Sequence, residues 1–201
     1  MNLDVKFQYN SVVVLSFFFI SFVVLILDQL SKGKINKEFF SCYRSSIFNP
    51  LTYFRLFSHI FGHADWAHFR NNFLTILLVG PFLEDKYGSI ELLFMILFTS
   101  FVTGIVHCIF KKTQLEGASG IAFMFVLLSS FVNIQGGTVP ITLILICLFY
   151  VIDEIRDFLF KKDSVSHLGH LIGAICGIGF GFYYLHYDSF LTIFDILFRG
   201  R

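Results

Sequence analysis

Long apolar stretches follow one another through almost the whole chain, and they leave it few folds to choose from. A bilayer core about 30 Å thick takes roughly 20 apolar residues per helix, and measured against that ruler the sequence offers six spans, at about 7–27, 66–83, 90–110, 117–134, 139–160 and 164–187. The second span is the least apolar, because Arg70, Asn71 and Asn72 lie in its first turns and Pro81 lies near its end. Polar groups there are expected to face other helices or water. The fourth and fifth spans are separated by "NIQGGTVP", a glycine-rich turn that makes them a helical hairpin. The expectation is an all-α, polytopic membrane protein, a six-helix bundle forming one domain over residues 1–201.

Composition agrees. Of 201 residues 56% are hydrophobic and only 14% charged, and the mean hydropathy is +0.75, well beyond a soluble domain of this size. The net charge of +1 is made of scattered basic residues, which excludes a nucleic-acid binder or a polybasic membrane-surface protein. Cys108, Cys147 and Cys176 lie in apolar runs and Cys42 is alone in a loop, so neither a disulfide framework nor a zinc spacing is present. The run at 7–27 is too long for a signal-peptide core and is read as a retained span.

Two connecting segments differ from the rest. Residues 28–65 are too aromatic for a disordered linker and too polar to span, and they read as amphipathic structure lying in the interface. After the last span, "DSFLTIFDILFRGR" repeats apolar residues at helical spacing and is expected to form a short surface helix.

Ionisable and amide groups inside a bilayer are expensive, so those present point to function. In "HIFGHADWAHFRNN", His68 and Asn72 are four apart and share one face of the second span. "GASG" brackets Ser119 with small residues, and in "SHLGHLIGAICG" His170, Gly173 and Gly177 fall on one stripe. A serine needs a base within hydrogen-bond reach and donors for the oxyanion it creates, and His170 is the candidate base. Glycines at 117, 120, 173 and 177 would let two helices approach closely enough to join them. Placed in the first turn of its helix, Ser119 would also have unpaired backbone N–H groups beside it, with His68 and Asn72 as further donors.

Each feature has a plainer reading. Small residues at four-residue spacing are common in ordinary membrane helix contacts. His59 and His63 at i, i+4 lack the acidic partner of a metalloprotease motif and read as loop-packing residues, with no metal expected. Arg70 and the cluster Asp153, Glu154, Arg156, Asp157 could line a transport path, but at i, i+3 spacing such charges are more often paired with one another. His107, His167 and His186 have no partner that sequence identifies.

Taken in order along the chain, these segments resemble the rhomboid family of intramembrane serine proteases, from about Phe54 to about Gly181. "FRLFSHIFGHADWAHFRNN" is similar to the family's loop and second-helix signature, with Arg55, His68 and Asn72 at the matching places. "LEDKYGS" resembles the turn that follows, carrying Glu84, Gly88 and Ser89. "GASG" is similar to GxSG and "HLIGAICG" to HxxGxxxG, which puts Ser119 at the nucleophile and His170 at the general base; His167 does not fit those glycines. The resemblance implies a Ser–His dyad with no third acid and no cofactor. It also implies an oxyanion hole from the Ser119 backbone with His68 and Asn72, and transmembrane protein substrates cut at small residues. Two positions depart from the family's pattern: Phe123 stands where many members have tyrosine, and Arg70 where an apolar residue is usual.

In the family's orientation the first, third and fifth connections face outward. They hold Lys32, Lys34, Lys37, Arg44, Arg55, Lys111, Lys112, Lys161 and Lys162, against Lys6, Lys86, Arg199 and Arg201 on the other side, the reverse of the usual positive-inside bias. The resulting expectation is an intramembrane serine endopeptidase that works in the lipid bilayer on transmembrane substrates, with no nucleic-acid partner and an oligomeric state left open. The compact form, by resemblance, suggests a bacterial plasma membrane. The rivals are a non-catalytic rhomboid-like protein that binds membrane clients and a small transporter.

Overall fold

A computed structural model of the chain describes residues 9–132, 134, 138–160 and 167–199, with side chains described as far as 186. Its helices are α1 (Val12–Ser31), α2 (Pro50–Ser58), α3 (Trp66–Tyr87), α4 (Ser89–Phe110), α5 (Ser119–Ser129), α6 (Ile141–Ile146), α7 (Ile152–Phe160) and α8 (His167–Arg199). A π-helical turn, Cys147–Val151, joins α6 to α7. Among the described residues the one extended pairing is an isolated bridge between Cys42 and Leu115.

The six expected spans correspond to α1, α3, α4, α5, the α6–α7 path and α8. By length and composition α1, α4 and residues His167–His186 of α8 are apolar enough to cross a membrane; the other three are shorter or more polar. Helix α5 has only 11 residues, and α3 runs unbroken through Pro81 to Tyr87. One expectation is corrected: the separate surface helix after the last span does not exist, because α8 continues through that stretch to Arg199. No glycine or proline interrupts residues 182–199, so nothing ends the helix. Residues 7–8 of the first expected span, 164–166 of the last, and 133 and 135–137 of the glycine-rich turn lie outside the described residues.

Helix α4 turns its polar side inward and an apolar side outward. On α4, Thr99, Ser100, Thr103, Gly104 and His107 turn inward while Phe94, Phe98 and Phe101 stay exposed. Helix α2 lies on that inward face, where Ser100 Oγ donates to the Leu56 and Phe57 carbonyls. A Cβ at Gly104 would stand 3.1 Å from the Leu56 backbone, so the glycine sets how closely α2 approaches. The core centres on α1, α3, α5 and α8, with Val14, Phe73, Ile76, Met124 and Phe125 almost fully buried.

Two long-range anchors fix this core. The Glu84 carboxylate accepts the Val13 and Val14 N–H groups at 2.9 and 3.1 Å and the Ser89 hydroxyl at 2.7 Å. It thereby caps the start of α1, where the first N–H groups have no partner within the helix. Segment 28–65 is also tied down. Asp28 Oδ1 accepts the Asn36 N–H at 2.8 Å, Asn36 Nδ2 donates to the His63 carbonyl at 3.0 Å, and the buried Arg55 donates Nε–H to the Glu38 carbonyl at 2.7 Å. Arg44 closes the end of α4 by donating to the Cys108 and Ile109 carbonyls. Cys42, read from sequence as solitary, has its Sγ 3.4 Å from that of Cys108.

Candidate active site

Ser119 opens α5, and what precedes it determines where its hydroxyl stands. Gly117 has φ +114°, a conformation that strains residues with a Cβ, and a Cβ there would also lie 2.6 Å from the His68 ring. The next two backbone N–H groups are held by the 59–63 turn: Gly117 donates to the His59 carbonyl at 3.0 Å, and Ala118 donates to His63 Nε2 at 3.4 Å. That second bond fixes a tautomer. With Nε2 accepting, the His63 proton sits on Nδ1, which faces the Phe61 carbonyl at 3.2 Å. Burial pushes the His63 imidazole down to about 3 and that of His59 to about 4, so both rings are neutral near pH 7. His59 Nδ1 faces the Arg55 carbonyl at 3.1 Å. The two loop histidines are therefore scaffolding for the serine turn. The N–H groups of Ser119 and Gly120, in the first turn of α5, have no helical acceptor.

Helix α3 brings His68 and Asn72 to the same place. Asp65 caps α3 by accepting the His68 N–H at 2.8 Å, and the His68 ring packs edge-on to His63 at 5.1 Å. Asn72 is buried, and among the described residues its Nδ2 is one of eight buried side-chain polar atoms without a hydrogen-bond partner; unlike most of these it borders an open cavity, where an entering polar group could meet it. Arg70 points away from this site, exposed, with Asn71 Oδ1 at 3.4 Å.

Helix α8 meets α5 through bare backbone. A Cβ at Gly173 would overlap the Gly120 carbonyl, one at Gly177 would reach the Met124 carbonyl, and one at Gly120 would stand 3.1 Å from the Gly169 carbonyl. The buried His170 ring stacks on Phe123 at 4.4 Å and 8°, so the ring at that position packs on the imidazole and offers it no hydroxyl. Ser119 and His170 line one cavity of about 550 Å³ together with His68, Asn72, Asp65 and Glu116. No hydrogen bond joins Ser119 to His170 among the described residues. Glu116 accepts the Ser41 hydroxyl at 2.8 Å, and burial raises its carboxyl above the usual range.

Sequence reasoning missed Glu154. The cluster it belongs to does pair internally, Arg156 with Asp153 at 3.0 Å and with Asp157 at 3.2 Å, but Glu154 turns elsewhere. Its Oε2 lies 2.6 Å from His167 Nδ1 and 3.1 Å from His170 Nδ1, the second contact falling short of hydrogen-bond alignment. Spacing alone does not set it apart, because 154 lies i, i+3 from Asp157 just as 153 does from Arg156. His107, also unassigned from sequence, faces the Thr113 carbonyl at 2.9 Å. Glu154, His167 and His170 form the one group of three metal-type donors among the described residues.

Comparison with known proteins gives a match to the Rhomboid domain family over residues 50–187. Rhomboid-like protein 11, chloroplastic, of Arabidopsis thaliana is 25% identical over 133 residues, covering 59% of this chain and 48% of that protein. Rhomboid-related protein 4 of Rattus norvegicus is 28% identical over 156 residues, covering 68% of this chain and 46% of the relative. The chain thus spans about half the length of the curated relatives it matches. These relatives come from a plant and a rat, and they lend no support to the bacterial plasma membrane expected from the chain's compact form.

Proposed function

Because the chain belongs to the rhomboid family, a family of helical membrane proteins, we propose that it is an intramembrane serine endopeptidase acting on transmembrane protein substrates. The observation that carries this reading is one cavity lined from three helices by Ser119, His170, His68 and Asn72, with the Asn72 amide unpartnered. Ser119 Oγ attacks the scissile carbonyl while His170 Nε2 takes its proton. The carbonyl oxygen gains negative charge opposite Asn72 Nδ2, the His68 ring and the N–H groups at the start of α5. Collapse of the tetrahedral species passes the proton from His170 to the leaving amine, and water then hydrolyses the acyl-enzyme by the same route in reverse.

A second reading is favoured by the missing Ser119–His170 hydrogen bond: a client-binding protein with the family's fold and no turnover. Catalytic hydrogen bonds often tighten only when substrate is bound, so the two readings separate by assay. Purified protein is incubated with a model single-span substrate, comparing wild type with Ser119→Ala and His170→Ala. The proteolytic reading expects cleavage by wild type alone, and fluorophosphonate labelling that disappears in Ser119→Ala. Substrate binding without cleavage in all three proteins would establish the client-binding reading.

A further inference from the structure

We propose that Glu154 is the positioning acid of a Ser119–His170–Glu154 triad, an inference that rests on the proteolytic reading and departs from the two-residue dyad that the family resemblance implies. The geometry of the acid is the starting point. Glu154 is held on α7, yet its Oε2 points across to α8, 2.6 Å from His167 Nδ1 and 3.1 Å from His170 Nδ1. Its neighbours on α7 do not compete for it, because Arg156 is engaged by Asp153 and Asp157. One carboxylate oxygen has lone pairs enough for two N–H donors. Both imidazoles are buried, so the carboxylate faces them in a setting where charge is weakly screened.

The consequence for His170 is chemical. A carboxylate at Nδ1 favours the tautomer with the proton on Nδ1, which leaves Nε2 as the nitrogen with a free lone pair. That is the nitrogen a serine base requires. When Ser119 Oγ bonds to the scissile carbon, the carbonyl π pair moves to its oxygen, the hydroxyl proton moves to Nε2, and the imidazolium so formed stands against the Glu154 carboxylate, which stays ionised throughout. Phe123 packs on the face of the ring, and the Glu154 carboxylate lies 3.1 Å from its Nδ1 edge, so a small rotation of the ring aligns the hydrogen bond that the imidazolium would make. His167 shares the same oxygen and steadies the carboxylate.

The same three side chains are a ligand set that a divalent metal ion could use. The 2.6 Å separation between Glu154 and His167 is that of a charge-assisted hydrogen bond, and the chelator and zinc arms of the test separate the two uses of the cluster.

The test uses the full chain in detergent with the single-span substrate, comparing wild type, Glu154→Gln and Ser119→Ala. Glu154→Gln keeps the shape of the side chain and removes its charge. Its kcat is expected to fall at least about tenfold, with KM within about twofold and Ser119 labelling by a fluorophosphonate slowed in proportion. Chelator treatment is expected to leave wild-type cleavage unchanged. A kcat for Glu154→Gln within twofold of wild type overturns the proposal alone, as does activity lost to chelator and regained with zinc. Failure of wild type to cleave overturns the proteolytic reading and takes the triad with it. Should Glu154→Gln fail to fold, imidazole ¹⁵N spectra of the unmodified protein decide: the Nδ1–H tautomer at His170 is expected, and the Nε2–H tautomer overturns the proposal.

Discussion

Around Ser119 the turn 59–63 and helices α3, α5 and α8 are tied down by buried groups, whereas the Ile141–Phe160 arm buries a single side chain, that of Leu143. On the first side the serine turn hangs from the His59 carbonyl and His63 Nε2, and α5 rests on α8 backbone to backbone. On the second, the arm packs on α5 and α8 through Leu143 and the partly buried Ile146, Cys147 and Val151, with the Tyr150 ring against Phe123 at 4.6 Å and Glu154 against His167. Ser119 is thus placed by a more deeply buried part of the molecule than the one that delivers Glu154. Segments with few buried contacts open at lower free energy than the core, so perturbations on the two sides should differ in kind.

The largest effect is expected at the α5–α8 contact. Gly173→Val drives a side chain into the Gly120 carbonyl, where the obstacle is backbone and cannot yield. We expect loss of cleavage and destabilisation exceeding about 4 kcal/mol, seen as a collapsed thermal midpoint in detergent. A near-normal midpoint would show that the helices can part without loss of structure.

Acid should weaken the anchored side next. The folded-state value of His59 lies near 4, below its value of 6.5 when unfolded, so the fold resists protonation. Its contribution is intact above about pH 6.5 and is lost as pH falls toward 4, reaching about 3 kcal/mol; His63, displaced in the same direction, adds to it. Thermal midpoints measured from pH 7 down to pH 5 should fall, and a flat profile would refute the assignment of neutral buried rings.

Glu84→Ala should lower stability by about 2 kcal/mol, because the Val13 and Val14 N–H groups at the start of α1 lose their acceptor. Chemical denaturation in detergent micelles measures this. The smallest effect belongs to the arm. Arg156→Ala removes its pairs with Asp153, where both side chains are about 60% exposed, and with the less exposed Asp157, and because Arg156 itself stays in solvent the two together are expected to be worth about 1 kcal/mol or less. A larger loss there would mean that the arm is held more firmly than its burial indicates.

What was legible in the sequence follows from local periodicity. The apolar runs gave the order of the helices, and the shared faces of His68 with Asn72 and of His170 with Gly173 and Gly177 are matters of 3.6-residue spacing alone. The anchors were not legible, because Glu84 with Val13 and Asn36 with His63 are joined across many residues by backbone groups that carry no side-chain signature. Glu154 was hidden in another way. It sits in a charged cluster whose other members do satisfy one another, and its heading depends on the π-helical turn at Cys147–Val151, which shifts the phase of everything after it. The continuation of α8 past Asp188 was obscured by a charge that looked like a boundary, although a helix tolerates aspartate far better than proline.

The brevity of α5 sets a depth. Eleven residues rise about 16 Å, roughly half of a hydrocarbon layer about 30 Å thick. A helix of that rise cannot cross the layer by itself, so its two ends cannot both lie at headgroup level. On the proteolytic reading, a substrate still coiled below the headgroups keeps its carbonyls in their own hydrogen bonds. Under that reading, resistance to unwinding, more than side-chain identity, is expected to sort which membrane helices react at Ser119.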